Sequence, residues 1–269
     1  MGPDSLTWQR FGDLRTLLLV GWAGTLQVMH PVISAALVEH SDVFDNPLGR
    51  LARSATPIVQ VVYGPAEAGR AVRRRHDAIA GHDATGRPYH ALNPEPFVWA
   101  HATFVAMQFA VAERFGQRLS EDEKSRLYEE SKEWFTRYGL PARELPTDYQ
   151  QFVAYWQHSV ENVLTRTEAA DRLLVNRKHA IPCPNKAIPV PVWRLGEPVV
   201  ATFSIWLING LLPAAARRKL GWRWHRHDEI GLTALAFTVR TLFKLLPNRW
   251  HYGAVARQAF RQHEYVFTS

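Results

Sequence analysis

The sequence predicts an all-α fold, and three observations support this prediction. Apolar residues recur at helical spacing in several long segments, and glycine, proline and capping residues mark where those segments begin and end. No segment sustains the alternation of polar and apolar residues that is typical of a strand. Because 46% of the 269 residues are hydrophobic, the chain can bury a substantial core. We therefore predict one large all-α domain over residues 1–269.

Two segments define the predicted helices of the N-terminal part. Residues 17–37 are long enough to suggest a membrane span, but Gln27, His30 and Pro31 interrupt their centre. We therefore expect a core helix that ends near His30. A shorter helix is predicted over about residues 65–80, because a proline and an acidic residue open it and a glycine follows it.

Three more helices are predicted in the middle of the chain. The strongly apolar run over residues 97–116 ends at a glycine. Ser120 with Glu123 forms a capping-box pattern that opens the next helix, and Thr147 with Gln150 repeats this pattern. The last of these helices carries an apolar stripe at helical spacing: Phe152, Trp156, Val160 and Val163.

The C-terminal part contains two interrupted segments. Five prolines lie between Pro182 and Pro198, which excludes a regular helix there and predicts a long ordered loop. Residues 199–216 are apolar again, but an asparagine, a glycine and a proline make them too interrupted for a membrane span. We expect residues 199–269 to form a basic helical region.

Charge is distributed unevenly along the chain. Residues 170–269 carry 15 Lys+Arg against 5 Asp+Glu, whereas residues 1–169 carry 17 against 20. Such a field attracts anions, whether nucleic acid, anionic lipid or an acidic substrate. For the basic cluster Arg217, Arg218 and Lys219, two interpretations remain open: docking on an anionic membrane, or a buried helical hairpin with a solvated basic turn.

A single cysteine, Cys183, excludes an internal disulfide and a multi-cysteine zinc or iron–sulfur site. The first residues lack the pattern of a secretory signal, so we expect a cytoplasmic protein, with peripheral membrane contact if the docking interpretation holds.

The richest constellation of reactive side chains begins at residue 71. On the predicted helix, Val72, His76 and Ile79 share one face, so the imidazole points inward among apolar neighbours. An inward imidazole must either hydrogen-bond within the core or bind a ligand, and both alternatives remain open on this pattern alone.

The helix over residues 97–116 repeats the theme with His101 on its apolar side and Thr103 nearby. Two inward histidines on two apolar helices could face one cavity. Helices that offer imidazoles to an apolar pocket are the usual way to hold a haem, whose propionates pair with arginines. Arg73, one turn before His76, is suitably placed for that pairing.

These residues also carry a resemblance to a known family. The run R-R-H-D-A-I-A-G, followed by G-R-P-Y-H-A-L-N-P-E-P-F-V-W-A-H-A-T-F-V, resembles the MpaB-type oxygenases. These include the latex clearing proteins (rubber oxygenases) and the fungal oxygenase that trims the prenyl chain in mycophenolic acid synthesis. The resemblance covers roughly residues 28–220, and its most specific part is Arg-x-x-His followed by Trp-x-His-Ala-Thr.

The resemblance implies an all-helical, globin-like core around a haem b. By this resemblance His76 is the axial iron ligand, Arg73 a propionate or structural partner, and His101 and Thr103 are residues of the haem pocket. Rubber oxygenases have Arg-x-x-Lys-Thr on the distal side of the haem. Here Arg50, Arg53 and Ser54 occupy those places, and Glu39 is the nearest counterpart of a distal carboxylate. Arginine stays cationic, so a lysine-type distal ligand is not available.

The resulting expectation is a haem b-dependent oxygenase that activates dioxygen and acts on an unsaturated hydrophobic substrate, isoprenoid-like or lipid-like. Arg53 would then be the distal cation and Ser54 a hydrogen-bond donor. The alternative is a non-catalytic basic helical protein that binds nucleic acid or an anionic membrane surface. We do not expect nucleic acid as the partner, because the inward His76 and His101 would have no use there.

Three other residues were considered as ligands. Cys183 lies between two prolines, a setting in which a thiolate can bind haem, but a half-buried loop thiol is the simpler interpretation. His225 and His227 alternate with basic residues and are interpreted as part of a solvated loop rather than a metal site.

Overall fold

The computed structural model describes residues 1–175, 183 and 188–263, and these residues are mostly helical, which confirms the all-α prediction. The α-helices are α1 (Leu6–Phe11), α2 (Val20–Val28), α3 (Pro31–His40), α4 (Pro47–Tyr63), α5 (Glu67–Arg74), α6 (Pro94–Phe115), α7 (Glu121–Thr136), α8 (Tyr149–His158), α9 (Glu168–Ala170), α10 (Val190–Leu211), α11 (Ala214–Leu220), α12 (Arg226–Leu245) and α13 (Ala254–Gln262). Short 3₁₀ segments span Leu14–Leu19, Ala142–Glu144 and Asn248–His251, and π-helical turns span Ser159–Val163 and Asp171–Val175.

Helix α6 lies at the centre of the packing. It contacts α2, α7, α12 and the 3₁₀ segment Leu14–Leu19. The indole of Trp99 on α6 donates a hydrogen bond to the carbonyl oxygen of Leu26 on α2 at 3.0 Å, so the two helices are tied together inside the core. One cluster of buried apolar side chains extends from Trp8 near the start of the chain to Phe260 near its end.

The apolar segment predicted over residues 17–37 breaks where expected. Helix α2 ends at Val28, and α3 begins at Pro31, where a proline in the first turn sacrifices no helical hydrogen bond. Among the described residues, no single helix is long and apolar enough to cross a membrane. Only the bent pair Leu14–Val28 and Pro31–His40, which meet at 95°, passes that test by length and composition.

The helix predicted over residues 65–80 is shorter than expected. Helix α5 stops at Arg74, and the chain turns there, with the amide of His76 donating to the carbonyl of Arg73 at 2.8 Å. Strands β1 (Ala80–His82) and β2 (Pro88–His90) then form an antiparallel hairpin. Asp83 orders the turn by accepting from the amides of Thr85 and Arg87 at 2.8 and 3.1 Å. Strands of three residues are too short to show an alternating pattern in the sequence.

Helices α6, α7 and α8 lie where the sequence predicts them, and the capping box of Ser120 and Glu123 is present. The prediction of a capping box at Thr147 and Gln150 was wrong. Asp148 caps α8 instead, since its carboxylate accepts from the amide of Gln151 at 2.8 Å. A carboxylate one position later in the chain satisfies the free amide of the first turn.

The prediction of a long loop over residues 182–198 was wrong from Val190 onwards. Helix α10 begins there, with Pro191 in its first turn and Pro198 within it. Pro191 costs no hydrogen bond, because amides in the first turn of a helix have no helical partner. Pro198 removes one helical hydrogen bond. The packing of α10 on α2 compensates for that loss. The part of the predicted loop at residues 182 and 184–187 lies outside the described residues.

The basic cluster at the end of α11 is engaged with the protein. The ammonium group of Lys219 donates to the carbonyls of Val160, Glu161 and Leu164 at 2.9, 2.7 and 2.7 Å. These carbonyls belong to the π-helical turn after α8 and to the residue beyond it, where the chain leaves them without helical partners. Arg217 donates to the carbonyl of Asn209 at 3.3 Å. Arg217 and Lys219 of this cluster therefore contact the protein itself.

Candidate functional site

A cavity of about 760 Å³ lies between α2, α3, α4, α6 and the turn that follows α5. Its walls are mainly apolar, and its size is that of a typical cofactor or substrate pocket. The apolar lining includes Leu14, Leu17, Val28, Ile33, Leu37, Ile58, Val72, Phe97, Phe104 and Met107. The polar lining includes Gln27, His40, Ser41, Arg50, Arg53, Ser54, Arg75, His76, His101 and Tyr138.

His76 lies on the cavity wall, in the turn just after α5. Its Nδ1 atom is 2.9 Å from the carbonyl oxygen of Val72. Because a carbonyl only accepts, Nδ1 carries the proton and Nε2 presents a lone pair. Burial lowers the pKa of His76, and the positive charges of Arg50 and Arg75 lower it further. The imidazole is therefore neutral near pH 7, its tautomer is fixed, and Nε2 is suited to bind a metal.

Three arginines line the same cavity, and two of them act electrostatically on His76. Arg50 donates through Nε to the hydroxyl of Ser41 at 3.2 Å and through its guanidinium to Ser54. Burial lowers the pKa of Arg50, with the neighbouring Arg53 as the next cause. Arg53 forms an ion pair with Asp42 in which both side chains are half exposed. Cations at one end of an apolar cavity suit a ligand that carries carboxylates.

Arg73 and Arg75 differ in their placement. Arg73 is not among the residues that line the cavity, and its guanidinium donates to the carbonyl of Gly139 at 3.2 Å. Arg75, which the sequence interpretation did not single out, lines the cavity. The cause is the end of α5 at Arg74, because residues beyond the helix no longer follow its periodicity.

Ser54 lies in the cavity wall, but Glu39 does not. The hydroxyl of Ser54 donates to the carbonyl of Arg50 at 3.0 Å and accepts from the guanidinium of Arg50. The carboxylate of Glu39 accepts a hydrogen bond from the hydroxyl of Tyr89 at 2.9 Å, against the β-hairpin. His40, one residue further on, lines the cavity instead, with Nε2 donating to the carbonyl of Ala80 at 3.0 Å.

His101 is buried in the cavity wall on α6. Its Nε2 donates to the carbonyl of Ser131 at 3.1 Å, so Nδ1 is an acceptor, and this atom is buried without a hydrogen-bond partner. Burial lowers the pKa of His101 to about 3. Thr103, also buried, donates to the carbonyl of Ala100 at 2.7 Å and accepts from the amide of Gln27 at 2.7 Å. Thr103 thus acts on the cavity through Gln27, which lines it.

The alternative ligands are placed elsewhere. Cys183 is half-buried, with its sulfur 4.0 Å from the carbonyl oxygen of Ile188, and is not among the described residues of the cavity wall. His225 and His227 stack on each other at 5.4 Å on the exposed start of α12. In the described part of the chain, no three histidine, cysteine or carboxylate side chains are grouped to hold a metal ion.

The residues of the cavity fit a haem b. An iron porphyrin supplies four nitrogen ligands of its own, so the protein needs to add only an axial group, and Nε2 of His76 is free to be that group. Arg50 and Arg75 can pair with propionates, and the apolar walls can cover the macrocycle. The buried, unpartnered Nδ1 of His101 adds an acceptor that a ligand could satisfy.

The described residues thus form an all-α protein with a histidine-bearing apolar cavity. Residues 8–241 match the family model described as "ER-bound oxygenase mpaB/B'/Rubber oxygenase, catalytic domain", and the chain belongs to this family. The protein is therefore an oxidoreductase of the oxygenase type, and the resemblance found in the sequence is confirmed over a wider range than residues 28–220. Neither the curated proteins nor the solved structures include a match to the chain.

Proposed function

We propose that the protein is a haem b-dependent oxygenase that uses dioxygen to oxidise an unsaturated hydrophobic substrate, isoprenoid-like or lipid-like. The observation that carries this proposal is the state of His76, a neutral residue of the apolar cavity wall whose Nδ1 is held by the Val72 carbonyl, which leaves the lone pair on Nε2. Membership of an oxygenase family supports this function over the non-catalytic binding protein that the charge pattern left open.

The chain's own residues would hold the cofactor at the two ends of this arrangement. Nε2 of His76 would be the protein's ligand to the haem iron, and the Val72 carbonyl, which accepts from Nδ1, would keep the ring in one orientation and raise the basicity of Nε2. Arg50 and Arg75, whose positive charges both act on His76, would pair with the propionates. When bound, haem b supplies a redox-active iron at which dioxygen is activated.

Residues of α4 and the apolar walls would complete the reaction site. Arg53 would offer hydrogen-bond donors to negative charge that develops in the reaction, and Ser54 would add a hydroxyl donor once its proton leaves the Arg50 carbonyl, its partner in this structure. The ion pair with Asp42 holds the Arg53 guanidinium near the cavity rim. Phe104, Ile33 and Leu37 exclude water and bind the hydrocarbon part of the substrate.

A visible spectrum tests the cofactor assignment. Protein produced with haem supplied is expected to show a Soret band with one haem per chain, and His76→Ala is expected to lose it. His227→Ala is a matched control, because this side chain is 80% exposed on α12. A normal band in the His76→Ala variant would contradict the ligand assignment, and His101→Ala would then be examined in the same way.

Labelled dioxygen tests the reaction. With an unsaturated isoprenoid as substrate, ¹⁸O from ¹⁸O₂ is expected in the product detected by mass spectrometry. Label taken up from H₂¹⁸O alone would contradict an oxygenase reaction. The same measurement on a saturated analogue of equal length is the control, since it fills the apolar cavity but offers no double bond.

A further inference from the structure

The surface formed by α10 and α12 exposes large apolar side chains in two stripes. On α10 the stripe includes Val192, Leu195, Val199 and Phe203, and Leu195 is 83% exposed. On α12 it includes Ile230, Phe237 and Leu245, of which Phe237 is 65% and Leu245 77% exposed. Helical spacing places each set on one side of its helix. Soluble monomers rarely expose contiguous apolar patches of this kind, and those that do use them for binding.

Both stripes lie on helices that contact a segment of the cavity wall. Helix α10 packs against both α12 and the 3₁₀ segment Leu14–Leu19. The guanidinium of Arg15 in that segment lies 4.7 Å from the ring of Phe243 on α12. Leu17, in the same segment, is 65% exposed and also lines the cavity, as does the exposed Val255 on α13. We call the two stripes together with Leu17, Trp250 and Val255 the apolar surface.

Charge around the C-terminal part of the apolar surface is positive, and the carboxylates that precede it on α12, Asp228 and Glu229, accept hydrogen bonds from Trp206 and Arg114. Residues 230–263 contain five basic residues and no aspartate or glutamate: Arg240, Lys244, Arg249, Arg257 and Arg261. A second copy of the chain placed on this surface would bring like charges together, which disfavours self-association. An anionic phospholipid surface complements them, because its headgroups are negative and its interior accepts the apolar stripes. The exposed Trp250 suits the headgroup layer, where an indole is half solvated.

We infer that the apolar surface docks on an anionic phospholipid bilayer and that hydrophobic substrate passes from the bilayer through the Leu17 and Val255 mouth into the cavity. The docking is independent of the cofactor, whereas the passage of substrate rests on the proposed function. A substrate that enters from hydrocarbon never has to expose its apolar surface to water. The docking residues differ from the basic cluster of α11, which contacts the protein itself.

Sedimentation with vesicles tests the docking. The full chain is mixed with vesicles of phosphatidylcholine alone, or of phosphatidylcholine with phosphatidylglycerol. We expect binding to the anionic vesicles that weakens as salt rises. The double variant Lys244→Ala with Arg249→Ala is expected to bind on the order of 30-fold more weakly, from the contribution of each cation near such a surface. Leu195→Ser with Phe237→Ser should also weaken binding, at all salt concentrations.

A matched control removes the same charge elsewhere. Arg74→Ala with Arg143→Ala lowers the net charge equally from two exposed positions outside residues 230–263, and is expected to bind like the wild type. Far-ultraviolet circular dichroism and thermal melting show that each variant is folded. Equal recovery with both kinds of vesicle, or equal loss in the control variant, would overturn the inference.

The oligomeric state gives a second decisive measurement. Light scattering is expected to show a monomer in the absence of lipid. A dimer that Leu195→Ser with Phe237→Ser converts to a monomer would assign the surface to a second copy and overturn the lipid inference. Vesicle binding needs no haem, so failure of docking in a protein with a normal Soret band is distinct from failure of the proposed function.

Discussion

The side-chain amide of Gln27 donates a hydrogen bond to the hydroxyl oxygen of Thr103 at 2.7 Å, and this bond links α2 to α6 beside the cavity. Thr103 is fully buried, and its own proton goes to the carbonyl of Ala100 at 2.7 Å. The Thr103 hydroxyl therefore both donates and accepts a hydrogen bond. Thr103 does not line the cavity itself but fixes the orientation of a side chain that does.

Replacing Thr103 by valine should destabilise the protein by about 1–3 kcal/mol, because the Gln27 amide loses its acceptor in a buried place. Thr103→Ser keeps the hydroxyl and should lose much less, in proportion to one methyl group. Urea unfolding followed by circular dichroism measures both variants. A valine variant as stable as the serine variant would show that the bond contributes nothing.

The position of His76 illustrates what the sequence could and could not predict. The inward imidazole was correctly expected on the cavity side, but on a helix that in fact ends at Arg74. Nothing between His76 and Ala80 is a glycine or proline, so the sequence carries no stop signal at the true boundary. The end is set by tertiary structure: the hairpin and the turn at His76 compete with further helix.

This boundary leads to a prediction about two neighbouring arginines. Arg75→Ala should weaken haem retention by roughly tenfold, because one charge-assisted pair with a propionate is lost. Arg73→Ala should leave haem retention unchanged, since its guanidinium is bound to the Gly139 carbonyl away from the cavity. Transfer of haem to apomyoglobin, followed in the Soret region, measures the difference. Weaker haem retention in the Arg73 variant alone would instead identify Arg73 as the propionate partner, as the resemblance at Arg-x-x-His implies.

Long-range contacts explain the remaining differences between what the sequence predicts and what the structure contains. The Glu39 carboxylate accepts a hydrogen bond from Tyr89, a residue 50 positions away. No local sequence pattern predicts a hydrogen bond over that distance in the chain. Helix α10 accommodates two prolines because its apolar residues pack on α2, which a residue-by-residue rule about proline does not include. Helices α6 and α7, by contrast, are specified by long apolar periodicity and a capping box, and both were predicted closely.

Arg53 provides a test of the distal side of the cavity. Arg53→Ala should leave haem content near that of the wild type and lower turnover or raise the dissociation rate of oxygen, because a preorganised donor is removed. Asp42→Asn keeps Arg53 but removes its ion-pair partner, and should have a smaller effect on turnover. Stopped-flow measurement of oxygen release separates the two. Loss of haem from the Arg53 variant would instead identify this residue as a propionate partner.

Two buried histidines contribute to how the stability of the protein responds to acid. His30, at the break between α2 and α3, has both ring nitrogens buried without hydrogen-bond partners, and burial lowers its pKa to about 4. Burial also lowers the pKa of His101 to about 3. His30 borders a second cavity of about 260 Å³, on the other side of the first turns of α6, together with Glu95, Trp99 and Tyr155.

Both histidines are neutral in the folded protein and are protonated at a higher pH once the chain unfolds. The unfolded state therefore binds more protons than the folded state below about pH 6.5, and the free energy of unfolding falls as the pH drops from there toward 4. Over its full range, His30 contributes a loss of about 3 kcal/mol and His101 a loss of about 5 kcal/mol. The glutamine of His30→Gln cannot titrate, so this variant should lose about 3 kcal/mol less of its free energy of unfolding between pH 6.5 and 4, whatever its stability at pH 7.

Urea unfolding at a series of pH values measures how the free energy of unfolding depends on pH, with the exposed His227→Gln as control. Identical slopes for the His30 variant and the wild type would show that the His30 imidazole finds water or a carboxylate partner when it is protonated.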